Sequence, residues 1–296
     1  MNASSAESTP PPPAEWTVLT MLEWATAYFE QKQVASPRLS IEWLLADVLG
    51  CRRLDLYLKF DRPLSPDELA DIKPLLLRRA RHEPLQYITG STNFFGLEIH
   101  TRPGALIPRP ETEQLVELVL QNHDGAARRV LDAGTGSGCI ALALKHERPA
   151  WKVAASDISP KALALATDNA ARLALEIDFA EHDFFEPAWP AASSEPAFDI
   201  IVSNPPYIPQ AEYEGIEEQV KRYEPELALF YPDVQQVYRA IAAFARQNLK
   251  TDGQLYVEIH EDFPETVQDA FTRAGLSCQL KTDYSGNPRF VQAIHT

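Results

Sequence analysis

Val130-Leu131-Asp132-Ala133-Gly134-Thr135-Gly136-Ser137-Gly138 is an apolar run that ends in a carboxylate and passes into a glycine loop. The pattern predicts a strand over residues 130–133, a turn, and a helix over residues 138–145. Glycines in such a turn adopt positive φ and let the backbone approach a ligand closely. In the dinucleotide fingerprint G-x-G-x-x-G the third glycine comes one residue later. Asp132 stands just ahead of the loop, where a carboxylate suits the ammonium group of an amino-acid-bearing ligand better than a pyrophosphate.

Working outward, a strand is expected at 153–156 and a helix at 160–173. Further strands are expected at 200–203, 254–259 and 290–293, with helices at 234–249 and 265–274. Such alternation implies crossover helices on a parallel sheet. The fold class expected is therefore α/β: a doubly wound, Rossmann-like sheet, mostly parallel with an antiparallel last strand, preceded by a small helical domain. Asp157 closes the second strand, where an acidic group in this architecture accepts hydrogen bonds from ribose hydroxyls. Together with the glycine loop it reads as a nucleoside site. Asp183-Phe184, after the next strand, would set a carboxylate and a ring beside the base, although Phe184 is equally compatible with plain core.

A second informative run is Ile200-Ile201-Val202-Ser203-Asn204-Pro205-Pro206-Tyr207. Pro205 and Pro206 lack backbone N–H groups, so the loop presents carbonyls with few competing donors, and Asn204 adds a side-chain carbonyl. A planar NH₂ is the natural guest: one hydrogen to Asn204 Oδ1, the other to the Pro205 carbonyl, with Tyr207 stacked on its plane. The bland alternative is that Pro-Pro simply ends a strand.

The 296 residues include 24 Pro, 45% are apolar, and 42 acidic residues outnumber 27 basic ones for a net charge of −15. Residues 1–103 carry 11 basic and 13 acidic side chains, residues 104–296 carry 16 and 29. The second half would repel a nucleic-acid polyanion, so no direct nucleic-acid partner is expected. Apolar runs fall far short of the roughly 18 residues of a membrane helix. Cys51, Cys139 and Cys278 are odd in number and widely spaced, against a disulfide framework or a zinc cluster. Residues 1–15, Ser/Ala/Pro-rich without a basic or apolar signal region, read as a disordered leader. The expected location is the cytoplasm.

Residues 16–90 show apolar spacing of helices, with Ser36-Pro37 and Ser65-Pro66 as capped starts. Residues 91–110 read as a β-containing linker, opening into residues 111–296. Arg78, Arg79 and Arg81 cluster near a helix end, either as a docking patch or as a solvated face complementing the helix dipole.

The glycine loop, Asp157 and Asn204-Pro205-Pro206-Tyr207 together resemble a class I S-adenosylmethionine-dependent methyltransferase acting on an amino or amide nitrogen. Glu83-Pro84-Leu85-Gln86-Tyr87-Ile88-Thr89-Gly90, Phe95-Gly96-Leu97, Ile107-Pro108-Arg109-Pro110-Glu111-Thr112-Glu113, Tyr223-Glu224-Pro225 and Ala228-Leu229-Phe230 narrow the resemblance to the release-factor glutamine methyltransferases, the PrmC/HemK family. The resemblance implies that Gly134, Thr135, Gly136, Ser137, Gly138, Asp157, Asp183, Phe184 and Asn204 hold S-adenosylmethionine, released as S-adenosylhomocysteine. It implies that Asn204, Pro205, Pro206 and Tyr207 receive the glutamine of a release factor's Gly-Gly-Gln loop, with Asn204, Pro205 and Tyr207 catalytic. A monomer without a metal is expected, its helical domain recognising the protein substrate. The rival readings are a nucleic-acid adenine methyltransferase and a non-catalytic nucleoside-binding module. Three positions depart from the family pattern: Phe184 stands where Trp is frequent, Tyr231-Pro232 replaces a glycine pair, and His260 replaces a glycine.

Overall fold

The computed structural model describes residues 10–189 and 198–295. Their contacts divide into two units. One holds the chain up to Gly90 together with Glu217–Tyr223; the other holds Ser91–Ile216 and the chain from Glu224 onward. Residues 1–9 of the expected leader lie outside the described residues, while the Pro10 carbonyl accepts the Trp24 indole N–H at 2.9 Å.

In the first unit α1 (Val18–Gln31), α2 (Pro37–Val48), α3 (Pro66–Arg79) and the short α4 (Leu85–Thr89) enclose a core that includes Leu22, Phe29, Ile41, Leu44, Leu45 and Leu56. Ser65 caps α3: its hydroxyl accepts the Glu68 N–H and the Glu68 carboxylate accepts the Ser65 N–H, a reciprocal pair that satisfies two orphan donors. Ser36 does not cap α2. The reversal after α1 puts Gln33 and Ser36 at φ of 54° and 49°, and from the left-handed conformation the Ser36 hydroxyl makes no capping bond.

The arginine cluster dissolves on folding. Arg79 is buried, 3% exposed. Its guanidinium donates to Ser40 Oγ, the Ala35 and Glu83 carbonyls and Gln219 Oε1, at 2.8–3.0 Å. None of these acceptors is a carboxylate, and burial lowers its pKa. Arg78 is turned onto the Glu83 carboxylate and the Tyr87 carbonyl. Only Arg81 stands exposed, so the three residues form no continuous basic patch.

The second unit opens with a hairpin, β1 (Ser91–Phe94) and β2 (Leu97–His100), whose turn residues Phe95 and Gly96 both have positive φ, matching the twist of the paired strands. The elements that follow are α5 (Pro110–Asn122), β3 (Arg129–Ala133), α6 (Cys139–Glu147), β4 (Lys152–Asp157), α7 (Pro160–Leu173), β5 (Asp178–Glu181) and β6 (Phe198–Ser203). Next come β7 (Ile208–Pro209), α8 (Glu218–Tyr223), which belongs to the first unit, β8 (Phe230–Tyr231), α9 (Val234–Asn248), β9 (Leu249–Glu258), α10 (Pro264–Arg273), β10 (Leu276–Thr282) and β11 (Pro288–His295).

Seven strands form one sheet in the order β10-β11-β9-β6-β3-β4-β5. Strands β9, β6, β3, β4 and β5 run parallel, and β11 runs antiparallel to both β9 and β10. The unexpected strand is β10. Polar at Ser277, Gln279 and Lys281 and partly exposed along the sheet edge, it lacks the apolar density by which the inner strands are legible. Among the described residues no helix is long and apolar enough to cross a membrane.

The chain proceeds from β3 outward to β4 and β5, then returns to lay β6 on the other side of β3. That reversal opens a crevice at the carboxyl ends of the strands. The turn after β3 is fixed from two sides. The Gly134 and Thr135 N–H groups donate to the Ser156 carbonyl on β4, both at 2.8 Å. Asp132, wholly buried, accepts the Thr135 hydroxyl at 2.6 Å and the Ala141 N–H at 3.1 Å on one oxygen. Gly138 has φ of 85°, and a Cβ there would lie 3.1 Å from the Ala166 Cβ, so its lack of a side chain lets α6 close on α7. Asn169 of α7 receives the His100 N–H and donates to the Ser137 and His100 carbonyls, which fastens the hairpin to the same turn.

Two outcomes are expected. Arg79→Ala leaves several buried acceptors unpaired and destabilises the helical unit by on the order of 3 kcal/mol, measured by urea unfolding, while Arg81→Ala leaves the midpoint unchanged. Burial also pushes the Asp132 carboxyl from 3.8 up to about 7. The folded state therefore holds a proton that the unfolded chain has released. The stability from this group is full below pH 3.8 and is lost as pH rises through about 7. Asp132→Asn, whose Oδ1 accepts both hydrogen bonds, flattens the fall in stability between these limits; identical pH slopes for the two proteins contradict the assignment.

Candidate active site

At the crevice lies a cavity of about 380 Å³ within the second unit. One wall comes from the strand ends: Gly134, Thr135, Gly136 and Ser137 after β3, Asp157 at the end of β4, Asp183 and Phe184 after β5, and Asn204 and Pro206 after β6. The facing wall comes from residues 104–109 and Thr112, with Pro225, Leu227, Ala228 and Tyr231. Gly138, Pro205 and Tyr207 do not line it. Gly138 is spent on helix packing, and Pro205 is a buried residue.

Asp157 accepts the Gly136 N–H and the Ser159 N–H, one on each carboxylate oxygen, both at 2.8 Å. Burial raises its pKa, and these N–H groups oppose the rise. A carboxylate offers about four acceptor sites, more than its backbone donors occupy, so Asp157 at the wall is a fixed acceptor for hydroxyl groups. Asp183 is more local: its Oδ1 accepts the Phe185 N–H at 2.9 Å and shapes the turn that presents Phe184 and Phe185. Asp132, read from the sequence as an ammonium partner, is behind the wall and wholly buried; its bonded oxygen is committed to the turn.

The Asn204 amide is oriented by a relay of donors. Asn204 Nδ2 donates to Thr112 Oγ1 at 3.0 Å, Thr112 donates to Glu258 Oε2 at 2.8 Å, and the Tyr207 hydroxyl donates to Glu258 Oε1 at 2.8 Å. Glu258 is 1% exposed. Burial raises its pKa, opposed by its two hydroxyl donors. Because the Thr112 hydroxyl donates its one hydrogen to the carboxylate, Thr112 can only accept from Asn204, and this assigns the nitrogen end of the amide. Asn204 Oδ1 remains an acceptor. The Tyr207 hydroxyl is held by Glu258. Its pKa stands well above the ordinary value, first through burial and then through that carboxylate.

Thr112 and Glu258 escape the sequence reading as functional residues. The available signal was a carboxylate at the carboxyl end of an otherwise apolar strand, Leu255-Tyr256-Val257-Glu258-Ile259, since a buried acid is rare without donors. Glu224 is comparable: its carboxylate accepts the Ile107 N–H at 3.1 Å and pairs with Arg109, holding the facing wall. His260 receives the Asp262 N–H on Nδ1, and its Nε2 lies 3.1 Å from Glu212, tying the end of β9 to the segment after β7.

Comparison with known proteins agrees with this architecture. Residues 20–90 match the model of the PrmC N-terminal domain and residues 109–221 that of the methyltransferase small domain. Among solved structures, a methyltransferase from Pyrococcus furiosus superposes with a TM-score of 0.50 at 18% identity, over 68% of this chain and 90% of that one. The Thermus thermophilus 16S rRNA N2 G1207 methyltransferase gives 0.50 at 19% over 70% and 50%. These two likenesses concern the Rossmann-like fold alone. A release factor glutamine methyltransferase of Geobacter sulfurreducens is 43% identical over 94% of this chain and 97% of its own length. The corresponding protein of Chlorobaculum tepidum is 39% identical over 91% and 94%. With relatives matched from end to end and a methyltransferase domain around the crevice, the chain belongs to the release factor glutamine methyltransferase family.

Proposed function

We propose that the protein transfers a methyl group from S-adenosylmethionine to the side-chain amide nitrogen (N5) of the glutamine in the Gly-Gly-Gln motif of peptide-chain release factors. The observation that carries this reading is the fixed orientation of Asn204, whose Nδ2 is consumed by Thr112 and whose Oδ1 is left to accept an N–H. The names of the relatives support the substrate class. The acidic balance of residues 104–296 disfavours the nucleic-acid alternative. In this reading the enzyme works in the cytoplasm as a monomer on release factors, which its helical unit recognises.

The pocket suits the cofactor. The fixed carboxylate of Asp157 would hold the ribose hydroxyls, the glycine turn keeps side chains out of the way, and Phe184 and Phe185 offer apolar faces for a base. When bound, S-adenosylmethionine supplies an electrophilic methyl group on a sulfonium. The chain's own task is to handle a poor nucleophile, because an amide nitrogen's lone pair is delocalised into its carbonyl. Asn204 Oδ1 accepts one amide N–H and the Pro205 carbonyl the other, so the nitrogen is held in one orientation and positive charge growing on it is favoured by preset dipoles. Asn204 is a neutral acceptor that orients the N–H without taking the proton: as the N–CH₃ bond forms and the S–CH₃ bond breaks, the nitrogen's surplus proton leaves to water. Glu258 acts at one remove, keeping Thr112 and through it the Asn204 amide from rotating.

Asn204→Ala is expected to lower kcat by a factor on the order of 100 to 1,000, about 3 kcal/mol in the barrier, while S-adenosylhomocysteine binding weakens only in part. Thr112→Val frees the amide to flip and lowers kcat less than Asn204→Ala does. Mass spectrometry of a release factor incubated with labelled S-adenosylmethionine measures both; wild-type turnover in Asn204→Ala refutes the role. Asp157→Ala is expected to weaken S-adenosylhomocysteine binding by roughly 1.5–3 kcal/mol, read by calorimetry, and unchanged affinity places the hydroxyl contact elsewhere.

A further inference from the structure

Tyr231 occupies one of the positions where the chain departs from the family pattern, and the fold puts its ring to use. The Phe184 and Phe185 rings stack with centroids 5.3 Å apart and planes 25° apart; Phe185 and Tyr231 stack at 5.4 Å and 20°. All three residues line the cavity. Phe185, in the middle of the column, is still 36% exposed, so without a ring on its far side a large apolar side chain would stand loose at the wall. The Tyr231 backbone is itself anchored: it pairs with Pro209 in the β7–β8 ladder, and the Ile208 N–H donates to the Leu229 carbonyl at 3.0 Å. That ladder begins immediately after Asn204-Pro205-Pro206-Tyr207. The column therefore runs from the turn after β5 to β8, the strand paired with the segment that continues the acceptor loop.

We propose that Tyr231 is a positioning residue for the cofactor: its ring braces Phe185, and through it the aromatic wall beside Phe184, against the chain that carries Asn204. The inference rests on the assignment of this pocket to S-adenosylmethionine. An aromatic pair of this geometry contributes beyond the area it buries, so loss of the ring costs cofactor affinity even though Tyr231 acts through Phe185.

The test is calorimetric titration of the full-length protein with S-adenosylhomocysteine, with thermal melting of each variant as a check on folding. Tyr231→Leu, which keeps apolar bulk without the ring, and Tyr231→Ala are expected to bind about tenfold more weakly. Tyr231→Phe restores wild-type affinity. Because the brace acts through Phe185, the double variant Phe185→Ala/Tyr231→Ala binds no more weakly than Phe185→Ala alone. In steady-state assays the KM for S-adenosylmethionine rises by a larger factor than kcat falls. Wild-type affinity in both Tyr231→Leu and Tyr231→Ala, or additive losses in the double variant, overturns the brace while leaving the pocket assignment standing. A wild-type protein that fails to bind S-adenosylhomocysteine overturns the pocket assignment and the brace with it.

Discussion

A carboxylate with no access to water, Glu258 at the end of β9, must find donors inside the protein, and the site is arranged around the two it finds. Thr112 arrives from α5 and Tyr207 from the loop after β6, so one buried acid joins three separate stretches of chain. An unpaired buried charge costs several kcal/mol, which makes this junction stiff. The stiffness is exported to Asn204, whose amide has only one orientation compatible with a Thr112 hydroxyl already facing Glu258.

The same logic repeats around the pocket. Asp132 holds the glycine turn from beneath, Asp157 holds it from the side through the Gly136 N–H, and Glu224 holds the facing wall through Ile107 and Arg109. Four carboxylates thus act mainly as acceptors for the protein's own donors. The excess of acidic residues in residues 104–296 is in part this internal scaffolding, which a count of charges reads simply as surface.

The residues legible in the sequence were those whose constraint is local. The positive φ of Gly134 and Gly136 follows from the turn they make, Asp157 from its place at a strand end, and the acceptor character of Asn204-Pro205-Pro206 from the missing N–H groups. Partners distant in the chain were not legible. The hold on the Tyr207 hydroxyl was hidden because Glu258, 51 positions away, could not be placed beside it; Arg79 looked like surface because Gln219, 140 positions away, could not be placed beside it. Ser36 had the right residue type for a cap, but the reversal after α1 imposed the wrong backbone. Strand β10 was hidden by its polar edge pattern.

The contact between Arg79 and Gln219 also bears on how the chain comes into being. The helices of the first unit leave the ribosome before the sheet, yet one segment of that unit, Glu217–Tyr223, is encoded after β3, β4, β5 and β6. At ordinary elongation rates the 140 residues that separate the two partners take on the order of ten seconds to synthesise. Throughout that interval the Arg79 guanidinium lacks its Gln219 acceptor, and water must stand in for it. Completion of the first unit therefore waits on a segment made long after its helices, and the order of synthesis is not the order of maturation.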